Sequence, residues 1–309
     1  MGIKLGDNWM ETRSNSLTVV IPAYNEAEAL PVTIPTVLEY CKKHHWKLIV
    51  VNDGSSDATV EVLKQFEDQP RMKIIHHKVN RGYGGALKTG LMAVDTDFAV
   101  SFDADGQHQL EDIDKLFNIL LAQDADMIVG SRAGSKHSHW YRELGKWIIR
   151  RVAAMMMPMP LTDLNSGFKL YRTSLMQKYI PLCPDSMAFS DVITLIFLNE
   201  RHHVIEAPIE LSPRSSGKSK ISTRTAFETI LEIINLVMLL APLRFFLPVS
   251  IICFLVGLGW GIPIVLSGRG VSIGSMLAIV TALILFTLGL VSEQISHLRR
   301  ELLVRSKKE

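Results

Sequence analysis

The chain of 309 residues is poor in cysteine, in aromatic side chains and in net charge. Its three cysteines, Cys41, Cys183 and Cys253, are widely spaced and lack metal-ligand pairing. That excludes a disulfide framework and a zinc module, and it points to reduced thiols in a cytoplasmic catalytic part. A net charge of +2, with no long basic run in the first two thirds, gives no electrostatic footprint for a nucleic acid, so no nucleic-acid partner is expected. No apolar leader precedes the polar start, and membrane targeting is therefore expected from the other end. A complete dinucleotide fingerprint is also missing. Arg81-Gly82-Tyr83-Gly84-Gly85-Ala86 lacks the full glycine spacing. This leaves either close backbone approach to a ligand, with Lys88 one turn into the following helix, or ordinary packing at a helix start. Asp103-Ala104-Asp105 opens like an EF-hand loop, but Gln107 and His108 stand where an acid and the obligatory glycine belong.

What is present is an alternation of strands and helices. Short β-branched runs at 17–21, 48–51, 73–75, 98–102 and 127–129 alternate with amphipathic stretches such as 33–41, 59–66 and 113–121. This order predicts an α/β fold with right-handed crossovers and a mostly parallel sheet covered on both faces. Ligands bind such sheets at the carboxyl ends of the strands, and there the polar residues collect: Pro22-Ala23-Tyr24-Asn25-Glu26, Asn52-Asp53-Gly54-Ser55-Ser56-Asp57, Asp103 with Asp105, and Gly130-Ser131-Arg132. Helix capping accounts for Asp57 alone, but four such turns on one edge indicate a site. Two carboxylates one residue apart at a strand end offer hard oxygen ligands to Mg²⁺ or Mn²⁺, the ions that also hold phosphates. Asp105 and Gln107 are the expected ligands, with Asp103 either a third ligand or a ribose contact. His108 either joins them or stabilises the turn.

The last third differs in kind. Segments 245–266 and 271–291 carry no charge apart from the turn between them, and each is long enough to cross a hydrocarbon core of about 30 Å. Ser267-Gly268-Arg269-Gly270 forms a hairpin between them. Ahead of them, 226–240 is apolar apart from a narrow stripe that includes Glu228, Glu232 and Asn235, which suits a helix lying in the membrane interface or the start of a third span. Two spans keep the N-terminal domain and the basic tail, Arg299 to Lys308, on one side and leave Arg269 opposite, as the positive-inside rule prefers. The expected organisation is a cytoplasmic domain over 1–221, an interfacial helix over 222–243, two transmembrane helices over 244–298 and a basic cytoplasmic tail over 299–309, in the inner membrane. Gly257, Gly259 and Gly261 allow close helix approach and leave room for a homo-oligomer. Arg142, Lys146 and Arg150 form one basic helical stripe, either a solvated face or a seat for a lipid phosphate. The loop from Arg214 to Lys220 is either a juxtamembrane anchor for anionic membrane lipid or a lid over a diphosphate.

Taken in order, Val20-Ile21-Pro22-Ala23-Tyr24-Asn25-Glu26, Val51 to Asp57, Asn80-Arg81-Gly82, Asp103 to His108, Gly130-Ser131-Arg132, Asn165-Ser166-Gly167-Phe168-Lys169-Leu170-Tyr171-Arg172 and Gly217-Lys218-Ser219-Lys220 resemble the family 2 glycosyltransferases. The likeness is to the polyprenyl-phosphate enzymes related to dolichol-phosphate mannose synthase, and the two-helix tail is similar to the bacterial glucosyl and aminosugar members. The resemblance implies a nucleotide-sugar-binding A-type glycosyltransferase fold. It implies that Pro22, Tyr24, Glu26 and Asp53 hold base and ribose, with Lys88, Asp103 and Ala104 also at the donor, and that Arg214 and Lys220 hold its diphosphate. Asp103, Asp105 and Gln107 would bind the metal, and Arg132, Arg142 and Lys146 would meet the acceptor phosphate. Asp103, Asp105 and Asp163 are the expected catalytic carboxylates; capping or turn formation is the alternative role for Asp163. Lys169 stands where the family often has arginine. The implied reaction is inverting transfer of one sugar from a nucleotide-sugar donor, UDP-glucose ahead of GDP-mannose, to a polyprenyl phosphate acceptor. No Gln-x-x-Arg-Trp motif of the processive synthases occurs. An acceptor lipid such as diacylglycerol and a non-catalytic nucleotide-sugar sensor are the rival expectations.

Overall fold

The computed structural model describes residues 16–103, 108–131, 163, 166–209, 238 and 241–305. The described residues fall into two compact units, 16–209 and 241–305.

In the first unit, strands β1 (Leu17–Ala23), β2 (Lys47–Asn52), β3 (Met72–His76), β4 (Phe98–Ser101), β5 (Met127–Ser131), β6 (Lys169–Arg172) and β7 (Val204–Pro208) form one sheet in the order β3-β2-β1-β4-β6-β5-β7. The five runs read as strands are β1 to β5. Pairing is parallel except at β6, which runs antiparallel to both β4 and β5. Lys169 lies opposite Ser101 on one side and Val129 on the other. That reversal has a consequence for the site: the residues that enter β6, Ser166 to Phe168, arrive at the edge where β1, β2, β4 and β5 end.

Helices α1 (Leu30–His44), α2 (Thr59–Lys64), α3 (Tyr83–Met92), α4 (Glu111–Ala122), α5 (Thr173–Tyr179) and α6 (Phe189–Asn199) belong to this unit. In α1, Leu30, Ile34, Val37, Leu38 and Cys41 recur at helical spacing and are buried as one face. Its basic last turn, Lys42, Lys43 and His44, opposes the negative end of the helix dipole, and His45 ends it in the left-handed conformation with φ 59°. The core joins this face to the β1 and β2 residues Leu17, Val19, Ile21, Leu48 and Val50 and to Ile113, Leu116 and Leu120 of α4. Trp46 and Phe98 both meet Phe117 edge to face, at 5.8 and 5.4 Å between ring centroids.

The second unit is a helical hairpin of α7 (Pro242–Leu266) and α8 (Ile273–Arg305), turned through Gly268 and Gly270. Both helices have the length and apolar composition of a membrane span, over Pro242–Leu266 and Ile273–Arg299. The first begins slightly ahead of the uncharged run because Arg244 is helical, and α8 continues to Arg305, into the segment read as a separate tail. Of the three glycines read as helix contacts, Gly257 packs on Ile279 and Gly261 on Ser275 of the same hairpin, while the Cβ position of Gly259 meets nothing within 4 Å. Glu293 Oε2 accepts the Leu243 N–H at 3.1 Å, so a carboxylate of α8 satisfies one of the open donors at the start of α7. The expected interfacial helix over 222–243 lies almost wholly outside the described residues.

Candidate active site

The ends of β1 and β2 are fastened together by their own turn residues. Asn25 takes a positive φ of 56°, which asparagine tolerates, and its N–H donates to Ser55 Oγ at 2.9 Å while its Oδ1 accepts the Ser56 N–H at 2.9 Å. Asp57 Oδ2 accepts the Ala27 N–H at 3.2 Å and its Oδ1 the Thr59 N–H at 3.0 Å, so this acid supports the turn and the start of α2. Asp57 is thus a turn-supporting residue, as its capping reading anticipated in kind, while the cap position itself is Ala58.

Beside these turns lies a cavity of about 300 Å³ at the carboxyl edge of the sheet. Pro22 and Ala23 end β1 in its wall and Tyr24 and Glu26 follow them, Asp53 follows β2, and Asp103 follows β4. Asn80, Gly82, Tyr83 and Ala86 contribute the approach to α3 and its first turn, and Met187 closes the wall ahead of α6. Five residues read as donor contacts, Pro22, Tyr24, Glu26, Asp53 and Asp103, are thus brought together. Tyr24 and Met187 are both well exposed apolar faces, suited to a planar ring. Every charged side chain lining this cavity among the described residues is a carboxylate.

Asp103 is held from two sides. Tyr83 Oη donates to Asp103 Oδ1 at 2.9 Å. Burial, and then the negative charge of Asp103, push the Tyr83 phenol well above its ordinary pKa, so it remains a neutral donor at physiological pH. Gly167 passes so close that a Cβ there would lie 2.8 Å from both Asp103 Oδ2 and Tyr83 Oη. Only the reversed entry of β6 brings this glycine there. His108 Nε2 is 4.0 Å from Asp103 Oδ2, and its ring stacks on Phe168 at 4.8 Å, so the histidine packs against the residues that enter β6.

Asp53 is almost fully buried; its Oδ1 accepts from His77 Nδ1 at 2.6 Å and from the Arg81 N–H at 2.9 Å. Gly82, at φ 86°, stands where any Cβ would come within 2.8 Å of the Asp185 carbonyl oxygen, so the approach to α3 presses against the 183–187 loop. Lys88 is placed in that packing and does not line the cavity. Its Nζ donates to the Cys183 carbonyl at 2.8 Å and pairs with Asp185 Oδ1 at 2.7 Å. Arg81 Nη2 meets Asp185 Oδ2 at 3.2 Å. The Lys88 hydrogen bond, reinforced by the charges of Lys88 and Arg81, holds the Asp185 carboxyl below its usual range against the opposing pull of burial.

Lys169 is fully buried, and its ammonium donates to the Ser190 carbonyl. Asp163 is half-buried. Ala104, Asp105 and Gln107, and likewise Arg132, Arg142, Lys146, Arg214 and Lys220, lie outside the described residues. Among the described residues, no group of three His, Cys, Asp or Glu side chains could hold a metal ion. Sequence reasoning missed Tyr83, Met187, His77 and Asp185. Tyr83 sits inside the glycine-rich stretch singled out above, so a signal for it existed; Met187 and Asp185 come from a distant segment that carries no motif.

Comparison with known proteins accounts for both units. Residues 18–180 match the family described as Glycosyl transferase family 2. Residues 241–298 match the GtrB C-terminal hairpin. The undecaprenyl-phosphate 4-deoxy-4-formamido-L-arabinose transferase of Photorhabdus laumondii is 29% identical over 232 residues, covering 74% of this chain and 69% of that protein. The undecaprenyl-phosphate mannosyltransferase of Micrococcus luteus is 27% identical over 224 residues, covering 69% of this chain and 90% of that one. Among solved structures, glucosyl-3-phosphoglycerate synthase from Mycobacterium tuberculosis, in complex with Mn²⁺, UDP-glucose and phosphoglyceric acid, superposes with a TM-score of 0.56 at 17% identity, covering 72% of this chain and 80% of that one. That likeness shows the shared A-type glycosyltransferase fold.

Proposed function

Because the chain belongs to glycosyl transferase family 2, we propose that it transfers a single sugar from a nucleotide-sugar donor to a polyprenyl phosphate at the cytoplasmic face of the inner membrane. The observation that carries this reading is the cavity at the strand ends, where Pro22, Tyr24, Glu26, Asp53 and Asp103 converge. The activities of the Photorhabdus and Micrococcus relatives support the acceptor class. The two apolar helices of the second unit suit an enzyme whose acceptor is a membrane lipid. On this reading 1–221 is the catalytic domain, 222–243 an interfacial helix, 244–298 the two spans and 299–309 a cytoplasmic basic tail.

In the reaction a phosphate oxygen of the acceptor attacks the anomeric carbon in line, a new C–O bond forms with inversion, and the bond to the nucleoside diphosphate breaks. A phosphate monoester has a second pKa of about 6 and is largely dianionic at neutral pH, so the nucleophile needs no strong base. Asp163 then serves to orient the sugar or as an auxiliary base. Tyr24 and Pro22 offer faces for the base, and Glu26 and Asp53 offer acceptors for base and ribose.

The acidic lining sets a requirement on charge. A diphosphate seated beside Glu26, Asp53 and Asp103 requires positive charge from elsewhere. Two carboxylates and an amide oxygen fit a hard divalent cation, and the narrow space beside Gly167 leaves Asp103 room at the strand end. Asp103, Asp105 and Gln107 would hold Mg²⁺ or Mn²⁺, which when bound supplies charge to offset the departing diphosphate. Arg214 and Lys220 would add to it, and Arg132, Arg142 and Lys146 would receive the acceptor phosphate.

UDP-glucose is the proposed donor, on the resemblance of the hairpin to the glucosyl carriers. GDP-mannose is the second reading, supported by the mannosyltransferase relative. Purified full-length protein in nanodiscs, given undecaprenyl phosphate and a panel of radiolabelled nucleotide sugars, should yield one monosaccharide-phosphate lipid with one preferred donor. Transfer to diacylglycerol and not to the polyprenyl phosphate would overturn the acceptor, and nucleotide binding without turnover would point to a sensor.

A further inference from the structure

The turn that carries Asp53 is secured by a histidine with no part in the reaction above. The His77 side chain is nearly buried, as is that of Asp53, and its two ring nitrogens reach different elements. Nδ1 lies 2.6 Å from Asp53 Oδ1; an ionised carboxylate only accepts, so Nδ1–H is the donor. Nε2 lies 2.8 Å from Thr89 Oγ1 on α3, and that hydroxyl also reaches the Gly85 carbonyl at 3.1 Å. The His77 backbone N–H donates to the Asn52 carbonyl at 2.9 Å. One imidazole therefore connects the end of β2, the strand exit after β3 and the first turns of α3. The Arg81 N–H falls on the same Asp53 oxygen, at 2.9 Å.

We propose that His77 is a positioning residue for the donor site: by gripping Asp53 Oδ1 from one ring nitrogen and Thr89 from the other, it fixes the direction in which Asp53 presents its second oxygen to the cavity. The inference rests on the reading that this cavity receives the nucleotide. A side chain that only filled space would be replaceable by anything of similar volume. A positioning histidine needs a donor at the Nδ1 position, which asparagine supplies through its amide N–H and glutamine, one methylene longer, does not.

The test uses full-length protein in nanodiscs, with UDP and GDP as probes in isothermal titration and with the donor selected by the panel for kinetics. His77→Ala and His77→Gln should each raise the nucleotide Kd and the donor KM roughly 10- to 150-fold, the range set by loss of a hydrogen bond to a charged acceptor, with kcat within about threefold of wild type. His77→Asn keeps the Asp53 arm and gives up the Thr89 arm, so both constants should rise no more than roughly three- to tenfold, clearly less than in the alanine variant. Wild-type Kd and KM in His77→Ala, or an asparagine variant as weak as the alanine one, would overturn the proposal while leaving the donor site standing. Failure of the wild-type protein to bind either nucleotide would overturn both. Should His77→Ala not fold, Thr89→Val cuts only the second arm; it should weaken binding roughly three- to tenfold, and unchanged affinity there refutes the role.

Discussion

Gly167→Ala is the substitution whose consequence follows most directly from the geometry. Gly167 is outside the left-handed region, so alanine brings no backbone strain, and the whole effect comes from the added methyl. That methyl would sit 2.8 Å from Asp103 Oδ2 and 2.8 Å from Tyr83 Oη, closer than carbon and oxygen tolerate. Either Asp103 or Tyr83 must move, and the 2.9 Å hydrogen bond between them breaks. A hydrogen bond to a charged acceptor contributes about 1.5–3 kcal/mol, which corresponds to a roughly 10- to 150-fold fall in kcat/KM if Asp103 acts on donor or metal. Gly90→Ala is the control: its methyl would collide with Val20 Cγ1 and come within 3.0 Å of Val51 Cγ2, inside the core. It should cost about 1–3 kcal/mol of stability, read as a lower Tm with donor KM unchanged. Initial rates across a donor titration, with thermal unfolding alongside, separate the two. Wild-type kcat/KM in Gly167→Ala would refute the reasoning, since it would mean that Asp103 can move without penalty.

Three further outcomes are expected. Asp105→Ala should abolish transfer while the protein still partitions with membranes, and near-normal turnover by that variant under chelation would rule the metal out of the reaction. Asp185 has a folded pKa held below the unfolded value of about 3.9, chiefly by Lys88, so its stabilisation is complete above that value and lost as pH falls through the folded one. The Tm gap between wild type and Asp185→Asn should therefore be constant near neutrality and close below about pH 4; a gap that widens in acid contradicts the pairing. Protease applied from the outer face should spare both the N-terminal domain and the tail beyond Arg299, and a cleaved tail beside a protected domain would require a third span.

Much of this arrangement is legible in the sequence, for a physical reason. Strands that end in polar turns advertise the edge of a parallel sheet, so the order of residues alone places Pro22, Tyr24, Glu26, Asp53 and Asp103 at one site. The uncharged lengths of α7 and α8 likewise announce themselves. What escaped was produced by neighbours remote in the chain. The reversal of β6 leaves no trace in a four-residue strand, yet it delivers Gly167 to Asp103. Lys88 reads as a donor contact in the sequence, and the partners the structure gives it, the Cys183 carbonyl and Asp185, come from a remote segment packed against the glycine face of that helix. The glycines of α7 suggest an approach between copies, and two of them are engaged within the hairpin itself.

The proposed chemistry stands on a nucleotide and a divalent ion meeting at the carboxyl edge of this sheet. A structure of the full-length protein with Mn²⁺ and uridine diphosphate puts that to the sharpest test. The base is expected against Tyr24 and Asp53, and the ion beside Asp103 and Asp105. Nucleotide and ion bound together at any other place on the protein would contradict it.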